Sequence, residues 1–168
     1  MGERAASFGV FYDGQFPSVC RALTLALGDA PLAEDAAQEA FTRAYVYWRR
    51  VSAMDRPAGW VYVVAIRIAF RRRQRVALET AGSGDTGATV DFTDGVVERE
   101  SLRRALAQLP ERQRIAIVLR YLADLPLADV AQAMGCAVGT AKSTLHAARE
   151  RLGVELGVED EEEVQDAR

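Results

Sequence analysis

The chain holds only two cysteines, Cys20 and Cys136, and a single histidine, His146. They lie too far apart in sequence for a recognisable zinc site, and with no CxxC pair they give no disulfide framework. Also missing is any apolar run near the roughly 20 residues that cross a bilayer, so no membrane insertion is expected. The first residues (MGERAASFGVFYDG) include acids and no long apolar block, unlike a secretory leader. Gly2 follows Met1, but Ser7 stands one place too late for the myristoylation pattern. No nucleophile, base and orienting group recur together as a catalytic set. The expectation is a soluble, cytoplasmic protein with no metal, no cofactor and no catalytic residues, hence not an enzyme.

Charge is present in quantity but is unevenly spread. The net formal charge of −3 hides a pattern of alternating blocks. Residues 43–75 carry nine basic side chains against one acid, and residues 101–152 carry eight against four. The stretches before, between and after them are acidic, with seven acids in residues 153–168 alone. Screening confines an exposed charge to about 8–10 Å, so local fields rather than the total decide what is bound. Two basic blocks separated by an acidic spacer point to two contacts with a polyanion.

Helical periodicity dominates the chain, and nothing reads as a strand. Apolar residues from Phe8 to Leu27 recur at three- and four-residue steps, with a break expected near Gly14 and Pro17. Asp29 and Pro31 give a cap-plus-proline start for a helix over 32–50. A polar connection over 52–57 leads into a third helix, from Pro57 or Ala58 to about Val76. Residues 80–95 (TAGSGDTGATVDFTDG) lack periodicity and read as a flexible acidic linker. Helices are then expected over 96–108, from Pro110 to Leu122, over 127–134 and over 138–152. The fold class is all-α: two small helical domains, 5–78 and 96–153, joined by a linker over 79–95 and followed by an acidic tail, 154–168.

The segment from Leu127 to Leu152 has the pattern of a helix-turn-helix. Val130, Ala131 and Met134 give its first helix an apolar inner face, and Gly135 suits a left-handed helix end. Val138, Ala141, Leu145, Ala148 and Leu152 repeat at 3-4-3-4 spacing and mark the buried side of the second helix. Its other side presents Thr140, Lys142, Ser143, Thr144, His146 and Arg149, short hydrogen-bonding and basic groups suited to phosphates and base edges. A plain helical hairpin with a polar outer face is the bland alternative.

Two further helix faces carry chemistry. In WVYVVAIRIAFRRRQR, Trp60, Val64 and Ile68, with Val61 and Ala65 beside them, mark a buried side, while Arg67, Arg71 and Arg75 form an i, i+4, i+8 row thickened by Arg72 and Arg73. Like charges at that spacing repel, and a phosphate backbone would relieve the repulsion. A solvated or membrane-surface basic face is the other reading. Tyr45, Tyr47, Trp48, Trp60 and Tyr62 interleave with these arginines as stacking platforms for single strands or as core, the tryptophans mainly as core. Upstream, Asp35, Gln38 and Glu39 share a helix face, open between a solvent face, acid–base groups and a docking surface for a partner helix.

In this order, AEDAAQEAFTRAY, RPAGWVYVVA with its arginine-rich end, and LPERQRIAIVLRYL followed by ADVAQAMGCAVGTAKSTLHAARERL resemble the extracytoplasmic-function sigma factors of the sigma-70 family. The resemblance covers about 8–78 and 98–153. It implies that Asp35, Gln38 and Glu39 bind the clamp coiled coil of bacterial core RNA polymerase. It implies that the 51–56 loop, with Arg56, and Trp60, Tyr62, Arg67, Arg71, Arg72 and Arg75 engage the −10 element of promoter DNA. There a base is flipped out as the duplex opens without ATP. The helix-turn-helix, through Thr140, Lys142, Ser143, Thr144, His146 and Arg149, would read the −35 element, and the acidic linker would thread near the RNA exit path. Such factors are usually restrained by an anti-sigma partner, and the absence of HxxxCxxC places this chain on the sigma side of such a pair. Arg67 and Arg71 stand where the family commonly has Asn and Asp, and Thr144 and Ala147 where Arg is common. These departures imply an atypical promoter or weaker autonomous DNA binding. A stand-alone helix-turn-helix regulator with an N-terminal interaction module is the alternative.

Overall fold

The computed structural model describes residues 2–80 and 97–156. The expected acidic linker and tail fall almost wholly outside the described residues. Those described form eight helices and no strand: α1 (Gly2–Leu27), α2 (Ala30–Val46), α3 (Trp48–Val51), α4 (Pro57–Thr80), α5 (Val97–Gln108), α6 (Glu111–Ile117, continued by a π-helical turn, Val118–Leu122), α7 (Leu127–Met134) and α8 (Val138–Leu156).

α1 runs unbroken through Gly14 and Pro17, contrary to the expected break. A mid-helix proline removes one hydrogen bond and costs about 3 kcal/mol, so packing must offset it. Four α1 rings do this, since Phe8, Phe11, Tyr12 and Phe16 interlock with Phe41 of α2 and Trp48 of α3. Centroids lie 4.9 Å apart for Phe11–Trp48, 5.1 Å for Tyr12–Phe41 and 5.5 Å for Phe16–Phe41. Edge-on and tilted pairs at such distances add stabilisation beyond buried area. Gly14 faces open space and Pro17 is exposed, so neither disturbs that seam.

α2 begins where the sequence places it. Asp29 is extended, and its Oδ1 accepts a hydrogen bond from the Leu32 backbone N–H at 2.9 Å, with Pro31 in the first turn. The buried stripe of α2 is Ala33, Ala36, Ala37, Ala40, Phe41 and Ala44. These small side chains let α1 and α4 approach on either side. The helix stops at Val46, short of the expected Arg50, because Tyr47 leaves the helical region and α3 starts a new turn.

α4 is buried on more of its circumference than the expected side of Trp60, Val61, Val64, Ala65 and Ile68 would provide. Val61, Tyr62, Val63, Ala65, Ile66, Ile68 and Ala69 are all buried, whereas Trp60 and Val64 are only half-buried. The cause lies in the second half of the chain. α7 packs along α4, and α6 with its π turn packs against α1, so one continuous apolar core links the halves. Within the second half, α8 packs on α5, α6 and α7.

Candidate nucleic-acid interface

α7 and α8 form the helix-turn-helix with the expected bounds at the turn. Gly135 adopts φ 64° and ψ 38°, the left-handed geometry that glycine enters without a Cβ penalty. Its N–H donates to the Gln132 carbonyl at 3.3 Å and that of Cys136 to the Ala131 carbonyl at 3.0 Å. These are the paired bonds of a Schellman helix end. Ala141, Leu145 and Ala148 are buried beneath α8, and Leu152 packs against the core, but Val138 is largely exposed. At the first residue of the helix no earlier turn remains to cover it.

The polar side of α8 is exposed at Thr140, Lys142, Ser143, His146 and Arg149, with Thr144 half-buried. The Ser143 and Thr144 hydroxyls both donate to the Thr140 carbonyl, at 3.0 and 2.8 Å. Their protons are therefore committed, and each hydroxyl offers lone pairs outward. His146 Nε2 lies 3.5 Å from Glu150 Oε1 one turn on, a pair that is ionic only when the imidazole is protonated. Lys142 and Arg149 supply the positive charge of this face.

The arginine row of α4 divides into three kinds of environment. Arg71 and Arg75 are exposed, and Arg71 Nε donates to the Arg67 carbonyl of its own helix, at 3.3 Å. Arg72 turns toward α2, where its guanidinium forks onto Asp35 Oδ2 at 2.7 Å and Glu39 Oε2 at 3.0 Å. Arg67 and Arg73 reach helix ends. Arg67 Nε donates to the Gln132 carbonyl of α7 at 3.1 Å, and Arg73 donates to the Leu27 carbonyl of α1 at 2.8 Å while pairing with Glu111. A cation at a helix C-terminus meets the negative end of the macrodipole and carbonyls that lack helical partners. The mutual repulsion read from the sequence is thus relieved at three of the five arginines by groups within the chain.

Among the remaining residues expected at the −10 element, Arg56 is exposed and donates to the Asp124 carbonyl at 2.7 Å. Trp60 packs against the core from a half-buried position. Tyr62 is a correction: only 6 % exposed, its ring belongs to the core and offers no face to a base. Burial, above all, raises its phenol above the ordinary value.

On α2, Asp35 and Gln38 are exposed, and Gln38 Oε1 lies 3.4 Å from the Tyr12 hydroxyl. Glu39 is half-buried and accepts from both Arg72 and Arg43. The Arg72 hydrogen bond, chiefly, holds its carboxyl below the usual range. Asp35, Gln38 and Glu39 share a face as expected, but two of the three are tied to an arginine assigned to DNA. That tie is not legible from periodicity, because i and i+37 partners leave no periodic trace. Nor does periodicity reveal Arg114, buried at 7 % exposure, whose Nε donates to the Ala26 carbonyl at 2.9 Å. No metal-holding group of His, Cys, Asp or Glu occurs among the described residues.

Comparison with known proteins agrees with this geometry. The family described as Sigma-70, region 4 matches residues 99–152, which span α5 to α8 up to Leu152. The chain is 32% identical over 164 residues to the ECF RNA polymerase sigma factor SigL of Mycobacterium tuberculosis, covering 92% of this chain and 93% of that one. It is 30% identical over 146 residues to the ECF RNA polymerase sigma factor SigW of Bacillus subtilis, covering 77% and 78%. In fold it is similar to the sigma factor RpoE of Bartonella quintana, solved in complex with the anti-sigma factor NepR. The TM-score is 0.78 at 23% identity, over 92% of this chain and 99% of that one.

Proposed function

The chain belongs to the ECF RNA polymerase sigma factors of the sigma-70 family, and from that premise we propose how its two halves divide promoter recognition. As such a factor it directs RNA polymerase to promoters and starts transcription there. The first half, 5–78, docks on core polymerase through Asp35, Gln38 and Glu39 and engages the −10 element through the 51–56 loop and α4. The second half, 96–153, reads the −35 element through the outer face of α8. The observation that carries this reading is the exposed polar face of α8, set on a helix-turn-helix whose turn is sealed by Gly135.

On α4 the DNA contacts fall to Arg71 and Arg75, which are exposed, with Arg56, Arg67 and Trp60 joining once their present partners are released. Phosphate contacts by these side chains release counterions and hold the separated strand. That offsets the few kcal/mol needed to extrude a base, with no nucleotide hydrolysis. Phosphodiester chemistry belongs to polymerase; this chain binds and positions. It works in the cytoplasm beside its polymerase, and an anti-sigma protein restrains it. The likeness of its fold to a sigma factor solved with an anti-sigma factor supports that partner.

Run-off transcription with purified core polymerase tests the reading. Specific initiation should appear only when this protein is added and should vanish in the double variant Asp35→Arg, Gln38→Ala. Binding of duplex DNA without any association with core polymerase would instead mark a stand-alone regulator.

A further inference from the structure

α2 offers polymerase three side chains, and another helix sets how two of them stand. The buried side of α4 runs through Ala65, Ile68 and Ala69. Arg72 comes at the next step of the same spacing, where the apolar residues end. Its guanidinium therefore leans over α2 instead of joining the outward row of Arg71 and Arg75. The alanine stripe of α2 keeps the two helices close enough for that reach. Nη1 donates to Asp35 Oδ2 at 2.7 Å and Nη2 to Glu39 Oε2 at 3.0 Å. Asp35 and Glu39 stand one turn apart on α2, and one rigid planar group spans that turn.

The other grips on this face are weaker or narrower. Arg43 bonds Glu39 alone, from the next turn of the same helix. The Tyr12 hydroxyl lies 3.4 Å from Gln38 Oε1, beyond the usual O–H···O range, so it orients the amide loosely. Asp35 has no side-chain partner but Arg72 among the described residues, and its Oδ1 stays open to a partner. The Glu39 hydrogen bond, above all, raises the Arg72 guanidinium above its ordinary pKa, so the fork keeps its charge. Such a fork can act on docking in two opposite ways. It masks carboxylates that a basic partner needs, or it holds them where the partner meets them. An exposed ion pair is weak and exchanges readily for another cation. Ordering two loose carboxylate side chains on binding costs more. The second effect is the larger.

We propose that Arg72 is a positioning residue for polymerase docking, setting Asp35 and Glu39 in place before polymerase arrives. Its place in the arginine row hides this role, because the guanidinium is directed at α2 and not at DNA. The inference rests on the assignment of α2 to polymerase.

Binding of the full chain to immobilised bacterial core polymerase, with no DNA present, tests it. Arg72→Ala should weaken binding on the order of tenfold, the cost of ordering two freed side chains. Arg72→Lys should recover part of that loss, because an ammonium lacks the fork. Arg43→Ala, which leaves Asp35 held, should cost only about twofold. In an Asp35→Ala background Arg43 still holds Glu39, so Arg72→Ala should again cost only about twofold. A role in general folding would instead carry the full loss into both backgrounds. Unchanged or tighter binding of Arg72→Ala, or an equal loss in both backgrounds, overturns the inference. Parent-like binding of Asp35→Arg, Gln38→Ala overturns it too, and strikes the docking reading with it. Loss of binding in that double variant with none in Arg72→Ala leaves docking on α2 standing and removes the positioning role alone.

Discussion

Arg72 is the residue on which two assignments meet. Its guanidinium spans Asp35 and Glu39, so the side chains proposed to face polymerase are oriented by one that the sequence assigns to DNA. A planar fork serves two carboxylates where an ammonium serves one. Arg72→Ala should release both, and Arg72→Lys should restore only part of the loss. All three groups are about a third exposed or more. Screening then limits the stability at stake to about 1 kcal/mol, measurable as a shift in the urea midpoint. Glu39 is held below its ordinary value, chiefly by the Arg72 hydrogen bond, so this stabilisation is complete above the unfolded carboxylate pKa. It is lost as pH falls through the depressed folded value. Thermal unfolding of Glu39→Gln and the parent should therefore differ at neutral pH and converge once pH has fallen below the depressed carboxyl value of Glu39. A gap that widened in acid would contradict the assignment.

Among the elements, the helix-turn-helix was the most legible. Its periodicity, glycine and bounds all concern residues within a few positions of one another, and local sequence encodes local geometry. Gly135 supports a direct prediction. A Cβ there would meet nothing within 4 Å, so the cost of Gly135→Ala is conformational alone, about 1 kcal/mol for a left-handed alanine. That loss should appear in chemical denaturation, with Gly139→Ala as the comparison. Gly139 is also uncrowded but sits inside α8, where alanine should stabilise. Equal effects at the two sites would show that backbone handedness does not govern the turn. The break expected in α1 was misplaced for the opposite reason. Pro17 and Gly14 are local signals, whereas the rings of Phe41 and Trp48 that hold α1 continuous come from residues 24 or more positions downstream. Tyr62 was misjudged in the same way. Its burial depends on which neighbours cover α4, and a sequence window contains only one of the packing partners.

At the scale of the whole molecule, the charge blocks were legible but their use was not. The row from Arg67 to Arg75 reads as uniform, and folding makes its members unequal. Arg72 is committed to α2 within one half, while Arg71 and Arg75 stay exposed. Arg73, through Glu111, and Arg67, through Gln132, also reach the second half. Counterion release gives each class its own signature. A phosphate contact contributes about one unit to the slope of log affinity against log salt, and an internal ion pair contributes nothing. For polymerase holding this protein on promoter DNA, Arg71→Ala and Arg75→Ala should each flatten the slope by about one unit. Arg72→Ala should leave the slope unchanged, even where it weakens assembly with polymerase. Arg67→Ala separates the remaining possibilities. If Arg67 leaves Gln132 for a phosphate on promoter DNA, its removal flattens the slope as Arg71→Ala does. If it stays on α7, the slope holds. A slope that fell equally for Arg72 and Arg71 would show that the α2 tie dissolves on promoter binding, and the division of the arginine row would have to be abandoned.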